Sequence, residues 1–564
     1  MAEAPAHDYP TIEPTSFDVV ICGTGLPESV LAAACAAAGK TVLHVDPNPF
    51  YGSLYSSVPL PLLPSLLSPD PSGPLSPPTS SGDDSRTVVS LHRRNIYSEV
   101  ETSGAAPEPS RRFTVDLVGP RVLYCADEAV DLLLRSGGSH HVEFKSVEGG
   151  SLLYWEGQLY PVPDSREAIF RDAILKRNDK PSKIEKLNDK PSKIEKLNDM
   201  NVLKKFFDLV RKHIAAASAS GDEIGEGEAS DKISEEDLGL PLIEYLKKQQ
   251  LSPKMRAVVL YAIAMADYDQ DTDSCEKFLT TREGIQTMAL YSSSIGRDLF
   301  ANAKGAFITP MYGHGELPQA FCRCAAVKGA LYVLRMPVSA VLMSEDKNHC
   351  VGARLTSGQD ILCQHLILDP SYKIPTLDAP SAGSNSNLLR KVARGICIIS
   401  KSVKQVSSNL LIVFPPKSLD DQQVAAIRVL QLSSNLAVCP PGMFMAYLST
   451  PCADASTGKR CVKKAIDALF TPQVSDSSEG QLETSSGNSE DLKPTVIWSC
   501  VYVQEITEGT SSSLLSCPTP DENLDYRNIL DSAKKLFTDI CPNEEFLPRK
   551  SAPVYADDDS DSAE

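Results

Sequence analysis

The stretch "FDVVICGTGLPESVLAAACAAAGKTVLHVDPNPFYG", residues 17–52, decides how the chain is read. The apolar run from Phe17 to Cys22 predicts a buried strand, and Gly23 and Gly25 predict a tight turn. A helix is expected over 27–38 and a second strand over 41–45. In a dinucleotide-binding unit of this kind the first glycine makes the turn and the second lets the backbone approach a pyrophosphate. The third lets helix and strand pack closely. Gly23 and Gly25 fill the first two places, and Asp46 stands where a ribose-binding acid would. The third place holds Glu28. A carboxylate there is favoured by the helix dipole by ~0.3–1 kcal/mol, and it repels an anionic cofactor at short range. The expectation is a vestigial dinucleotide turn, made of Gly23, Gly25, Glu28 and Asp46, with no cofactor bound.

The rest of the chain sets outer bounds. Its 564 residues suffice for two or three domains, and 42% hydrophobic residues predict a sizeable core. Lys and Arg total 55 against 73 Asp and Glu, a net charge of -18, which argues against nucleic-acid binding as the main task. The N-terminal residues lack the basic and apolar regions of a signal peptide. No run reaches the ~18 apolar residues that a bilayer span requires. The closing "ADDDSDSAE" offers no cysteine to prenylate. Fifteen scattered cysteines without a CxxC pair predict reduced thiols of a cytosolic protein, with neither a disulfide frame nor a metal site. Among nine histidines, His44 and His140–His141 have no recognisable catalytic partner and read as structural or surface residues. A late Gly-Asp signature for a flavin is missing as well.

The expected fold class is α/β: an FAD/NAD-binding-like (Rossmann-type) multi-sheet domain with an inserted smaller all-helical domain. Residues 1–164 form its first part, interrupted by a proline-rich insertion, 53–111, whose composition predicts a disordered spacer without helix or central strand. "FTVDLVGPRVLYCADEAVDLLLRSG" reads as a strand and a helix, and "SLLYWEGQLYPVP" as two strands about a Glu-Gly turn. Residues 165–300 carry apolar stripes at helical spacing, with Ser252 and Pro253 a good helix start. Within them "NDKPSKIEKL" occurs twice in tandem, at 178–187 and 188–197, too few copies for a solenoid. The apolar "MRAVVLYAIAMADY" fits core packing. Residues 301–550 return to the α/β domain through β-rich runs, with a disordered loop at 472–494. The chain ends in an acidic tail, 551–564.

A second stretch, "MYGHGELPQAFCRCAAVKG" at 311–329, is a glycine-rich loop leading into a helix with Pro318 in its first turn. Leu317, Phe321 and Cys324 recur at i, i+4 and i+7 and predict one buried face. Glu316, Gln319 and Arg323 share another face, with Glu316 and Arg323 about 10.5 Å apart along the axis. That stripe reads either as a solvated polar face or as a carboxylate and a guanidinium presented to a partner protein. Spacing leaves both open.

"GTGLPES…GKTVLHVDPNPFYGS" together with "MYGHGELPQAFCR" resembles the superfamily of Rab GDP-dissociation inhibitors and Rab escort proteins. "VPDSREAIF", "AFCRCAAV" and the run 392–448 look like the escort-protein branch, the accessory component A of Rab geranylgeranyl transferase. The resemblance implies a non-catalytic partner of that transferase, which binds GDP-bound Rab GTPases, presents them for prenylation and delivers the lipidated product to membranes. It implies a Rab-binding platform of Tyr51, Gly52, Glu316, Gln319 and Arg323, and a helical domain that shelters geranylgeranyl groups and meets the transferase. Ser53 departs from a frequent second glycine of the family. Two other readings stand beside this one: an inhibitor that only recycles prenylated Rab, and an FAD-dependent oxidoreductase.

Overall fold

Strand β1 (Ser16–Cys22) is buried from Val19 onward, as an apolar strand inside a parallel sheet must be. In the computed structural model the described residues are 9–68, 86–163, 193–218, 232–271, 275, 277–296, 305–345, 349–373, 390–404, 409–472, 493–511 and 514–549. Helix α1 (Leu26–Ala37) follows β1, and β2 (Val42–Asp46) lies parallel beside it. On its other side β1 pairs in parallel with Asp360–Leu368, while β2 pairs in parallel with Leu331–Leu334. Antiparallel strands Cys350–Leu355, Val338–Met343 and Thr87–Ser90 extend this nine-stranded sheet. The carboxyl ends of β1, β2 and Asp360–Leu368 therefore gather where the strand order reverses about β1, the place at which open α/β sheets hold ligands.

α1 is almost wholly buried, and its sequence explains how. Ala32, Ala33, Ala34 and Cys35 let the helices Glu316–Val327 and Arg527–Ile540 approach it closely, and alanine has the highest helix propensity. A second nine-stranded sheet runs from the hairpin Ser151–Trp155 and Gln158–Pro161 through Leu410–Phe414, Ile427–Ser433, Phe444–Cys452 and Lys391–Ile399 to Thr495–Glu505 and Tyr97–Ser103. Helix Ala455–Leu469 covers one face of this sheet. The other face meets the helices Leu242–Lys248, Pro253–Ala257 and Thr281–Ser294 through a shared core.

Ser252 caps its helix by accepting from Met255 N–H, and Thr280 with Glu283 forms a reciprocal capping box. The first of these helices runs on into a π-helical turn, Val258–Ile263, whose six residues are all buried. Here the apolar side chains pack against Ile285, Met288, Leu411 and Val413. The second copy of the tandem repeat enters helix Lys193–Ser218 at Lys193, and the first copy lies outside the described residues. The loop expected at 472–494 lies mostly outside them too, as does the acidic tail.

The proline-rich insertion is corrected in part. Residues 69–85 lie outside the described residues, but the flanks of the segment expected to be disordered are ordered. Ser57–Pro59 pairs with Thr114–Asp116, and the short helix Leu63–Leu67 follows with Leu60, Leu63 and Leu67 buried in the main core. Pro64 sits in the helix's first turn, where no N–H is needed, so proline is tolerated. Beyond 85, Thr87–Ser90 and Tyr97–Ser103 each join a sheet.

Two buried guanidiniums tie the parts together. Arg394 donates to Gln504 Oε1 at 2.7 Å, to the Val118 and Gly119 carbonyls at 3.1 and 3.0 Å, and to the Asp521 carbonyl at 2.9 Å. Arg121 donates to the same Asp521 carbonyl at 2.8 Å, pairs with the Asp521 carboxylate, and lies 5.3 Å from the Tyr526 ring. The second sheet, the 118–121 crossing and the approach to the last helix thus meet at one carbonyl. Replacing Arg121 with Ala strands these acceptors and is expected to lower stability by about 3–5 kcal/mol, read from urea unfolding.

Candidate functional site

The glycine turn after β1 is closed from within. Glu28 is buried, and burial followed by the neighbouring Asp369 carboxylate pushes its acid well above the usual range. Its Oε2 accepts no hydrogen bond among the described residues, as suits a neutral acid. The repulsion expected from a charged Glu28 is therefore replaced by occupancy. A Cβ built on Gly25 would lie 2.4 Å from Glu28 Oε2 and 3.1 Å from the Tyr55 ring. The backbone that a pyrophosphate would approach is thus covered by a carboxyl and a phenol.

Asp46 stands at the place the spacing predicted, but its oxygens are engaged. Oδ2 accepts from Thr24 N–H at 2.7 Å, Thr24 Oγ1 at 2.6 Å and Ser53 Oγ at 2.8 Å, and Oδ1 accepts from Asn48 N–H at 2.7 Å. Burial raises its pKa while these donors lower it. The residues present do not fit a dinucleotide. His44 is structural: its Nε2–H donates to the Gly23 carbonyl at 2.5 Å, and burial lowers its pKa to about 4. His140 and His141 lie exposed in a short 3-10 turn.

The same knot positions Tyr51 and Gly52. Gly52 N–H donates to Thr24 Oγ1 at 2.9 Å, and Ser53, at φ +44°, keeps its hydroxyl on Asp46. Serine in place of glycine thus adds a tether at a left-handed position. Tyr51 is half-buried, its ring edge-on to Tyr332 at 5.9 Å, and burial, then Cys322, raises its pKa.

The second loop is held by another buried carboxylate. Asp116 Oδ1 accepts from His314 N–H at 2.8 Å and from Ser57 Oγ, while Ser57 Oγ accepts from Gly315 N–H at 2.7 Å. Gly313, at φ +103°, is required there: a Cβ would fall 2.5 Å from Ser57 Oγ and 2.6 Å from Asp116 Oδ1. His314 is buried and neutral, hydrogen-bonded to Tyr526 OH at 2.7 Å, and burial followed by Arg121 lowers its pKa to about 3.

Helix Glu316–Val327 starts from this clasp. Leu317, Phe321 and Cys324 are buried as their spacing predicts, and Gln319 and Arg323 are exposed on the opposite side. Glu316 is half-buried, which raises its pKa, and the Arg323 charge opposes that shift. Cys322, on the same helix, meets Tyr332, whose ring is the one edge-on to Tyr51. Tyr51 is thus linked through Tyr332 to the helix that carries Glu316, Gln319 and Arg323, although some 270 residues separate them in sequence.

Sequence reasoning missed Ser57, Asp116 and Tyr332, which set this geometry. A lone aspartate inside the apolar "FTVDLVG" was the available signal for Asp116. Tyr312, half-exposed at φ +65° with its N–H on the Leu436 carbonyl at 2.9 Å, was also passed over.

The GDP dissociation inhibitor family profile matches residues 13–91 and 191–484. "Rab escort protein 1" of Arabidopsis thaliana is 43% identical over 97% of this chain and 96% of its own length. "Rab proteins geranylgeranyltransferase component A 2" of Mus musculus is 25% identical over 95% of this chain and 97% of its own. The crystal structure of Rab GDI from Plasmodium falciparum superposes with a TM-score of 0.63 at 18% identity, covering 94% and 99% of the two chains.

Asp116 gives a pH test of the clasp. Its folded pKa, raised to about 6 by burial, exceeds the ordinary 3.8, so folding takes up a proton between those values. Its contribution to stability therefore falls as pH rises through that window and is flat above it. Asp116→Asn keeps the accepting oxygen and does not titrate. The stability of the wild type relative to this variant should drop by about 2.5 kcal/mol from pH 4 to pH 7, measured by denaturant unfolding.

On the profile's span and the near full-length identity to the Arabidopsis relative, the chain belongs to the GDP dissociation inhibitor family.

Proposed function

We propose that this protein is a Rab escort protein. It binds newly made GDP-bound Rab GTPases, presents them to Rab geranylgeranyl transferase for prenylation of C-terminal cysteines, and delivers the lipidated Rab to membranes. The observation that carries the reading is the 43% identity, over 97% of the chain, to a relative bearing that name. The closed glycine turn supports it against an oxidoreductase, because the place of a pyrophosphate is taken by Glu28 and Tyr55. In this reading the chain is a non-catalytic accessory subunit, cytosolic and in transient contact with membranes during delivery. Among the described residues no helix is long and apolar enough to cross a membrane.

The platform is Tyr51, Gly52, Glu316, Gln319 and Arg323. Its side chains rise from a helix fixed at its N-terminus by Asp116 and Ser57, and from a loop fixed by Asp46, so little ordering is left for the partner to impose. Arg323 supplies a planar fork, and Tyr51 supplies apolar area with one hydroxyl. The helices within 193–294 take up the geranylgeranyl group. Shielding it from water is favourable by ~0.8 kcal/mol per CH₂. Because Val258–Ile263 is packed in the core, this uptake requires the helices to part.

The test is reconstitution with transferase, GDP-loaded Rab and labelled geranylgeranyl diphosphate. Lipid transfer that depends on this chain is expected. Binding of prenylated Rab without support of transfer would instead favour a recycling inhibitor, the reading suggested by the family profile's own name. Arg323→Ala should weaken GDP-Rab binding by about 2 kcal/mol or more, roughly thirtyfold in Kd by calorimetry, with the fold intact.

A further inference from the structure

Closing the pyrophosphate place does not fill the whole crevice. Beyond the carboxyl ends of β2 and the Asp360–Leu368 strand, a cleft of about 280 Å³ persists, lined by Asn48, Ser53, Arg93, Arg94, Asn95 and Asp369 among others. We propose that this cleft binds a phosphate monoester carried on a small polyhydroxy body, with Arg93 gripping the phosphate.

Arg93 is the unusual residue. Its guanidinium lies 5.9 Å from the Tyr372 ring centroid, its Nε is buried without a hydrogen-bond partner, and no carboxylate among the described residues pairs with it. Arg121, Arg354 and Arg428 each pair with a carboxylate, Asp521, Asp360 and Asp267, although the Nε of Arg121 and of Arg428 is unpartnered too. Beside it, Arg94 has one nitrogen on Glu505 at 2.7 Å, while its Nε is also buried and unpartnered. A guanidinium on a cleft wall with no carboxylate of its own, beside a second arginine, points to an anionic acceptor supplied from outside the chain. The planar fork of arginine matches the oxygens of a phosphate.

The remaining wall selects the carrier. Asp369 Oδ1 accepts from Ser371 N–H at 2.8 Å, and its Oδ2 lies against Gly23, with the residue forming part of the cleft wall. Asn48 is fixed by its backbone, through its N–H on Asp46 and its carbonyl to Arg335 N–H, which leaves its carboxamide for the ligand. A carboxylate in the wall disfavours a bare polyanion and favours a phosphate that brings hydroxyl groups. The volume suits one sugar-phosphate-sized group and excludes a dinucleotide. The site is distinct from the platform, although Ser53 belongs to the loop that carries Tyr51.

Such a group could come from a soluble ester or from a lipid headgroup, and calorimetry and vesicle sedimentation on the full chain separate the two. The soluble probes are inorganic phosphate, glucose 6-phosphate and inositol 1-phosphate. The vesicles are phosphatidylcholine with or without phosphatidylinositol 4-phosphate. Saturable binding of a soluble hydroxylated phosphate, stronger than that of inorganic phosphate, is expected. It should weaken about tenfold or more in Arg93→Gln and stay unchanged in Arg323→Ala. Sedimentation that needs both the phosphoinositide and Arg93 assigns the headgroup as the source. Should Arg93→Gln fail to fold, Arg93→Lys keeps the charge without the fork and should show the same loss. Absence of binding in every arm, or binding indifferent to Arg93, overturns the proposal. Neither result bears on Rab binding, which is read separately.

Discussion

The buried carboxylate of Asp46 is the constraint on which the loop geometry depends. Three donors converge on its Oδ2, and two of them belong to Thr24 in the glycine turn while the third is Ser53 from the loop after β2. Burial alone would push the acid toward neutrality, and the donors work in the opposite direction. Removing any one of them would leave an enclosed acceptor less satisfied, so the group behaves as a unit. Thr24 also receives the Gly52 N–H. The turn that a dinucleotide fold uses for phosphate and the loop that presents Tyr51 are thereby one rigid piece.

Asp116 does the corresponding work for the other loop, joining Ser57, His314 and Gly315. The two knots lie close in sequence through residues 51–57, so the segment leaving β2 carries both the tether to the glycine turn and the clasp on the helix Glu316–Val327. Glu28 has a third role. It is enclosed next to Asp369, and its oxygen covers the Gly25 backbone. Three buried acids therefore serve three ends: one orders a loop, one seats a helix and one fills a crevice.

Much of this was legible in the sequence, and what was missed has a physical pattern. The β1–α1–β2 unit could be read because its apolar runs and two glycines are contiguous. The helix face of Leu317, Phe321 and Cys324 could be read from period alone. The charge state of Glu28 could not, since it depends on Asp369 and Tyr55, which are brought in by other elements. Arg121 and Arg394 carry no local sequence signal of burial, and only the meeting of distant strands at the Asp521 carbonyl encloses them. The proline-rich flank failed for a related reason. Composition predicts that such a segment cannot form a core of its own, but Leu60, Leu63 and Leu67 join one already built. Of the proposed platform, the members came from the resemblance, and helical spacing gave the shared stripe of Glu316, Gln319 and Arg323. The supports Ser57, Asp116 and Tyr332 were not visible, because a support is defined by what it touches.

The distribution of rigidity follows from this arrangement. A surface that must bind a folded partner gains from having its loops ordered beforehand, because ordering them at the moment of binding would subtract from affinity. In this chain that ordering rests on buried charges, which hold direction better than apolar contacts do. The apolar helices behind Val258–Ile263 are held differently, by packing, short capped segments and a π-helical turn. The segment that follows the turn is tied to the second sheet by Arg428, which donates to the Met265 carbonyl at 2.7 Å and pairs with Asp267. The face ordered by buried acids on the α/β side needs little rearrangement to meet a folded partner, and the proposed binding of a GTPase rests on that face.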